Sequence, residues 1–107
     1  SDMKRVKELI KLIINNNKLK CFFDKKNIVY NEREIFIPPD KVIIPDKTVF
    51  LDNNSISILD YKTGKKNKEH LDQMKKYIFH LKKANYRVKN AFLVYVLDEI
   101  KLVEITV

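Results

Sequence analysis

The residues of this chain that could carry chemistry gather around one short segment, Leu59-Asp60-Tyr61-Lys62-Thr63-Gly64. Side chains alternate faces along an extended strand, so Asp60 and Lys62 should project together while Tyr61 projects to the other side. A carboxylate beside an ammonium can hold a divalent ion and place positive charge next to a phosphate or an attacking water. The segment therefore predicts a metal-dependent site for phosphodiester hydrolysis, which needs one more acidic ligand nearby.

Two Pro-Asp steps, ending in Asp40 and Asp46, compete for the role of that second ligand. If Asp52-Asn53-Asn54 is the loop of a hairpin, counting outward along both strands places Asp46 opposite Asp60. Directly opposed residues have Cβ atoms about 4.5 to 5.5 Å apart, close enough for two carboxylates to share one ion. Asp40 would fall opposite a residue beyond Gly64, so Asp46 is preferred. A loop one residue longer or shorter would turn Asp46 to the other face.

A helix predicted from about Asn67 to Asn85 carries two further candidates, Gln73 and Tyr77. They are four residues apart and so share one helix face. An amide and a phenol can bond phosphate oxygens or bases without being ionised. His70 and His80 lie near the same line, but they are expected to be surface residues. Each feature alone is more often a solvated ion pair, a turn or the flank of a core stripe, and only their joint order and spacing favours a site.

The elements that would position these residues are two helices and a series of strands. Apolar spacing predicts an amphipathic helix from Met3 to about Asn15, and Pro38 to Lys41 should form a turn. Gly64 is the only glycine and would let the chain leave the sheet sharply. The strand-like segments are 28–30, 32–37, 42–44, 48–51, 55–62, 91–97 and 101–107, with a short turn at Asp98-Glu99 before the last. This order predicts an α/β fold, a mixed sheet of about five strands with flanking helices.

Composition limits the classes of protein to which the chain can belong. Its 107 residues suit a single domain, and the balance of 45% hydrophobic and 34% charged residues is typical of folded soluble proteins. No apolar run is long enough for a membrane span and no signal peptide is visible, so a cytoplasmic location is expected. The single cysteine, Cys21, excludes an internal disulfide, and no Cys/His cluster offers a zinc site. A net charge of +8 favours a polyanionic partner.

At these residues the chain resembles the RecB-like branch of the PD-(D/E)xK nucleases. The resemblance is to the nuclease domain at the C-terminal end of UvrD/AddA-type helicase-nucleases, and it covers nearly everything from Glu32 onward. The matching motifs are Glu32-Arg33-Glu34-Ile35, Pro45-Asp46-Lys47, Asp60-Tyr61-Lys62-Thr63-Gly64, Gln73 with Tyr77, and Leu93-Val94-Tyr95. The resemblance implies a restriction-endonuclease-like core, and the Asp-Tyr-Lys-Thr-Gly motif followed by Gln-x-x-x-Tyr is its most specific part.

By that resemblance Asp46 and Asp60 are metal ligands, and the carbonyl of Tyr61 completes the coordination. Lys62 would position the attacking water and stabilise the charge that develops on the phosphate. The implied ion is magnesium, with manganese as a substitute. The implied activity is that of a DNA exonuclease that acts in recombination or repair.

The same resemblance assigns Gln73 and Tyr77 to an accessory motif that contacts DNA and supports the site. Glu32 would be a further group that activates the water or supports the ligands. The implied partners are DNA and the helicase domain of a longer parent protein, of which these 107 residues would be a fragment. With one glycine the chain has no Gly-rich phosphate loop, so ATP-driven unwinding would have to come from elsewhere.

Two departures from the family pattern keep alternatives open. Relatives carry a metal-binding histidine farther upstream, but no histidine precedes Glu32 here, and Lys47 replaces a common arginine. One alternative is therefore a catalytically inactive, basic nucleic-acid-binding module with the nuclease fold. Another is a restriction-type or junction-resolving endonuclease, which would be expected to form dimers.

Overall fold

The computed structural model describes residues 2–97 and 99–107, in which two helical segments precede five strands, and a second α-helix precedes two more strands. The helices are α1, Asp2–Ile14, and α2, Lys68–Lys83, with a 3₁₀ helix at Asn17–Phe22. The strands are β1 Ile28–Asn31, β2 Ile35–Ile37, β3 Lys41–Ile43, β4 Lys47–Phe50, β5 Ser55–Lys62, β6 Arg87–Val96 and β7 Ile100–Ile105.

Five of the strands form one mixed sheet in the order β1-β4-β5-β6-β7. The pairs β1–β4, β4–β5 and β6–β7 are antiparallel, and β5 pairs with β6 in parallel. Parallel neighbours need a crossover connection, which α2 provides here. Strands β2 and β3 form a separate two-stranded sheet. The predicted α/β fold, a mixed sheet of five strands with flanking helices, is confirmed.

The sheet is covered on both faces, so its central strand β5 is buried from both sides. Ile56 and Ile58 of β5 pack in one cluster with the apolar stripe of α2, namely Leu71, Met74, Ile78 and Leu81. Leu59 packs in a second cluster on the other face, with Ile13 of α1, Phe22 of the 3₁₀ helix and Phe92 of β6. Because residues alternate along β5, Asp60 lies on the α2 face.

Some boundaries differ from those predicted. After α1 the chain forms a 3₁₀ helix that was not predicted, capped by Asn16, whose side chain accepts a hydrogen bond from the Lys18 N–H at 2.9 Å. Strand β6 begins at Arg87 rather than Ala91, because buried Val88 alternates with exposed Arg87 and Lys89 along a segment that pairs with β5. Of the turn predicted at 98–99, position 98 lies outside the described residues.

Helix α1 buries only part of its predicted apolar stripe. Leu9 and Ile13 face the core, while Val6, Ile10 and Ile14 remain 45 to 49% exposed. None of the helices in the two described ranges is long and apolar enough to cross a membrane.

Candidate active site

The hairpin between β4 and β5 has the register that the sequence predicts. Its loop is Asp52-Asn53-Asn54, closed by a hydrogen bond of 2.8 Å from the Leu51 N–H to the Ser55 carbonyl. Asn53 and Asn54 both adopt left-handed backbone conformations, with φ of 59° and 58°, which asparagine tolerates better than most residues. The last pair of the ladder is Lys47 with Leu59, so the next residues outward, Asp46 and Asp60, oppose each other.

Two backbone-to-carboxylate hydrogen bonds tie Asp46 to the segment Asp60-Tyr61. The backbone N–H of Asp46 donates to Oδ1 of Asp60 at 2.8 Å, and the backbone N–H of Tyr61 donates to Oδ2 of Asp46 at 2.7 Å. Each carboxylate is thus fixed through one oxygen by the backbone of the opposite strand. Among the residues described, Asp46 Oδ1 accepts no hydrogen bond, and Asp60 Oδ2 lies 3.7 Å from Nζ of Lys62. The backbone therefore uses one oxygen of each carboxylate, while Asp46 Oδ1 is open to an external ligand and Asp60 Oδ2 faces the Lys62 ammonium.

Lys62 lies beside Asp60 on the α2 face, as the alternation of β5 predicts. Its side chain is 21% exposed, and its Nζ donates a hydrogen bond of 2.9 Å to Oε1 of Gln73. The ammonium is therefore held by both a carboxylate and an amide, while part of it still reaches solvent. In this position it can meet a negatively charged group that approaches the carboxylates.

The helix residues Gln73 and Tyr77 complete a chain of contacts that ends at Asp60. An ammonium only donates hydrogen bonds, so the amide of Gln73 must turn its oxygen to Lys62 and its nitrogen to Tyr77. Gln73 Nε2 donates to the Tyr77 hydroxyl at 3.2 Å. Burial and the nearby Asp60 raise the pKa of Tyr77, although a hydrogen bond from the Ile44 backbone acts in the opposite direction. Tyr77 is therefore a neutral hydroxyl that lies against the segment leading into Asp46.

The folded structure disfavours the ionised form of Asp60. Asp60 is only 4% exposed, and burial raises its pKa from 3.8 to about 6, with the charge of Asp46 adding to the increase. The hydrogen bond from the Asp46 N–H and the charge of Lys62 lower that pKa in part. Near neutral pH the site thus holds a buried negative charge that is only partly compensated, an environment that favours a bound cation.

The remaining candidates lie at or outside the edge of this cluster. The Glu32 N–H donates to the Asp46 carbonyl at 2.9 Å, so the two backbones are adjacent, but the Glu32 side chain is exposed and forms no hydrogen bond within the described ranges. Asp40 is exposed in the turn between β2 and β3, away from the β4–β5 pair, so the choice of Asp46 agrees with the geometry.

The two histidines do not join the carboxylates. His70 is half-buried rather than at the surface, and its Nδ1 lies 2.9 Å from the Tyr95 hydroxyl. His80 is likewise half-buried, with its ring against Phe79 at 5.5 Å. Tyr95 itself was noted only as part of a strand motif, yet it is buried beside Lys62 in the β5–β6 register and also contacts the Asn67 N–H at 3.4 Å. The only sequence signal for Tyr95 was its spacing of two residues from Leu93, which places both side chains on one face of the strand.

The donor set fits a hard divalent cation. Within the described residues no three histidine, cysteine or acidic side chains form a group that could hold a metal. Magnesium, however, is commonly held by one or two carboxylates plus waters and substrate phosphates, and here two carboxylates each have one oxygen without a backbone donor. The Tyr61 N–H points toward Asp46, and the N–H and C=O of a strand residue face the same neighbour, so the Tyr61 carbonyl should lie on the same side.

Comparison with known proteins gives limited information. The chain matches no protein-family model and no curated protein. Among solved structures it is similar to the crystal structure of SSO0001, with 21% sequence identity and a TM-score of 0.49. The similarity covers 98% of this chain and 50% of that one, so the chain spans half the length of that structure.

Proposed function

We propose that this domain hydrolyses DNA phosphodiester bonds with magnesium, for which manganese can substitute. One observation carries the proposal: the carboxylates of Asp46 and Asp60 are each held by a backbone N–H of the opposite strand, from Tyr61 and Asp46 respectively, with the ammonium of Lys62 3.7 Å from Asp60. Two carboxylates that each have one oxygen without a backbone donor, beside a cation that reaches solvent, are suited to binding a metal ion and a phosphate ester.

Each residue has a distinct role in the proposed reaction. Magnesium, when bound, supplies a Lewis acid that polarises the phosphate and lowers the pKa of water. Asp46 would hold it through Oδ1 and Asp60 through Oδ2, the oxygens that accept no backbone hydrogen bond, together with the carbonyl of Tyr61. Lys62 would orient the attacking water and stabilise charge on the phosphate oxygens, and Gln73 would keep the ammonium of Lys62 aimed at that position.

The wider identity is part of the same proposal. The order of motifs supports a single RecB-like PD-(D/E)xK nuclease domain with a restriction-endonuclease-like core, working as the exonuclease module of a helicase-nuclease. Tyr77 and Glu32 would support the site or contact DNA. The partners would be DNA and the helicase domain of a parent protein, acting in cytoplasmic recombination or repair.

The test is cleavage of end-labelled single- and double-stranded DNA in magnesium, manganese or EDTA. Asp60→Asn and Lys62→Ala should each lower the rate by at least about a hundredfold, since each removes a charge needed in the transition state. Asp40→Asn is the matched control, because it neutralises an exposed aspartate in the turn between β2 and β3, outside the proposed site. It should cut like the wild type. Full activity of Asp60→Asn would refute the proposed site.

A second candidate is a binding module that keeps the fold without turnover. It is favoured by the lack of a third acidic or histidine ligand in the described ranges and by the net charge of +8. A wild-type chain that binds DNA but cuts it with neither metal would establish this function. In that case Asp60→Asn would leave binding intact or strengthen it.

A further inference from the structure

A basic cavity of about 650 Å³ lies just beyond the end of β5. Four cations contribute to its lining, Arg5 from α1, Lys65 and Lys66 from the loop after β5, and Lys101 from β7. Leu97 and Glu99 form part of its wall. Three separate elements of the fold thus bring positive charge to one concave surface.

Sheet register places this cavity next to the proposed active site. Lys62 pairs with Tyr95 of β6, and Tyr95 pairs with Lys101 of β7. Neighbouring strands are about 4.8 Å apart, so Lys101 lies roughly 10 Å across the sheet from Lys62. Tyr95 also lines the cavity, so a single strand separates the cavity from the proposed catalytic lysine.

Three of the four cations that line this cavity are exposed lysines. Lys65 and Lys66 are exposed and make no ion pair within the described part of the chain, and Lys101 makes one exposed contact of 3.6 Å with Glu99. Gly64 has a φ of +87°, which gives the chain the turn that carries both lysines from the end of β5 to the cavity. Arg5 is paired with Glu8 at 3.5 Å, so the charge open to a ligand comes from the lysines, which outnumber Glu99, the one carboxylate of the described lining, and favour an anion.

We propose that this cavity is a subsite for one unpaired nucleotide of the DNA strand, beside the bond that is cut. Lys65, Lys66 and Lys101 would bind its phosphate, and the apolar side chain of Leu97, which is 59% exposed, would contact its base or sugar. A volume of about 650 Å³ is in the range of sites for single small ligands. This inference rests on the proposed function, and it makes a single-stranded end the preferred substrate.

The test measures binding of fluorescein-labelled oligothymidylate by anisotropy in EDTA, where no cleavage interferes. Lys65→Ala/Lys66→Ala is compared with Lys25→Ala/Lys26→Ala, an exposed adjacent pair that precedes β1 and removes the same charge. Each phosphate contact contributes about 0.7 to the slope of log K against log salt for single strands. The cavity variant should therefore reduce the slope by about 1.4 and weaken binding about tenfold or more, while the control changes the slope by less than half as much.

Three results would overturn the inference. Equal loss in both double variants would mean that only net charge matters. If the cavity variant lost equal affinity for single strands and for a blunt duplex, the cavity would not bind an unpaired nucleotide. An unchanged slope would remove the cavity from the interface. If the double variant does not fold by circular dichroism, Lys101→Ala carries the same test, with an expected slope change of about 0.7.

The experiment separates failure of the subsite from failure of the proposed function. Binding in EDTA does not depend on cleavage, so selective loss in the cavity variant supports the subsite even if Asp60→Asn cuts normally. Conversely, an inactive Asp60→Asn together with wild-type binding of the cavity variant supports the nuclease and refutes the subsite.

Discussion

Replacing Asp60 with asparagine should stabilise the metal-free protein at neutral pH while it removes metal binding. The folded protein holds Asp60 with a pKa raised from 3.8 to about 6, chiefly by burial. Each unit of pKa difference corresponds to about 1.4 kcal/mol, so ionised Asp60 destabilises the folded state by up to about 3 kcal/mol. Asparagine removes that charge, and its Oδ1 can still accept the hydrogen bond from the Asp46 N–H.

The sign of the pH dependence follows from which state binds the proton more tightly. The folded pKa lies above the unfolded one, so below about pH 4 both states are protonated and Asp60 has no destabilising effect. Between about pH 4 and 6 the folded state holds more protons, and wild-type stability falls as pH rises. Above about pH 6 the destabilising effect is complete. The gain from Asp60→Asn should therefore be small at pH 4 and about 1 to 3 kcal/mol at pH 8.

Urea unfolding followed by circular dichroism, at several pH values with and without magnesium, measures these effects. For a domain of this size 1 kcal/mol corresponds to roughly 4 to 8 °C in Tm, so thermal melts would also detect the change. Magnesium at ten times its Kd should add about 1.4 kcal/mol to the wild type and nothing to Asp60→Asn. The exposed Asp40→Asn is the control and should match the wild type throughout. Equal stability of Asp60→Asn and wild type at pH 8, or an equal response to magnesium, would refute this reasoning.

Three further substitutions test other contacts of the structure. Gln73→Ala should lower kcat by roughly ten- to a hundredfold with little change in KM, because Lys62 loses its 2.9 Å hydrogen bond to Gln73. A change confined to KM would contradict the role of Gln73 in positioning Lys62. Ser57→Ala should raise the free energy of unfolding by about 1 kcal/mol, because the buried hydroxyl has no hydrogen-bond partner within the described residues. Urea titration checks this, with Ser55→Ala as the control. A loss of stability in Ser57→Ala would contradict the prediction. Gly64→Ala should cost about 1 to 2 kcal/mol through its φ of +87° alone, since an added Cβ meets no atom within 4 Å; no loss in the same titration would show that the turn relaxes.

The parts of the fold that depend on short-range pattern were predictable from the sequence. Alternation placed Asp60 and Lys62 on one face, and the asparagine loop fixed the register that sets Asp46 against Asp60. Both predictions hold because strand period and hairpin length are local properties. The same counting of residues favoured Asp46 over Asp40.

What the sequence did not reveal depends on contacts between distant segments. The 2.9 Å bond between Lys62 and Gln73 needs the crossover helix to lie at a particular height over β5, which no local period determines. The half-buried state of His70 follows from its contact with Tyr95, 25 residues farther along the chain. The cavity beyond Gly64 combines residues from α1, a loop and β7, and only the assembled sheet brings them together.

The way in which the two carboxylates are held explains why their site should bind a cation. Like charges repel, and without the backbone hydrogen bonds from Asp46 and Tyr61 the side chains would turn apart toward water. Those bonds instead use one oxygen of each carboxylate and keep the pair together in a partly buried place. The folded chain therefore bears the electrostatic cost before any ion arrives, and the proposed divalent cation would gain binding energy by relieving it. Stability and metal affinity should consequently change in opposite directions when this pair is neutralised, a relation that an ordinary solvated ion pair would not show.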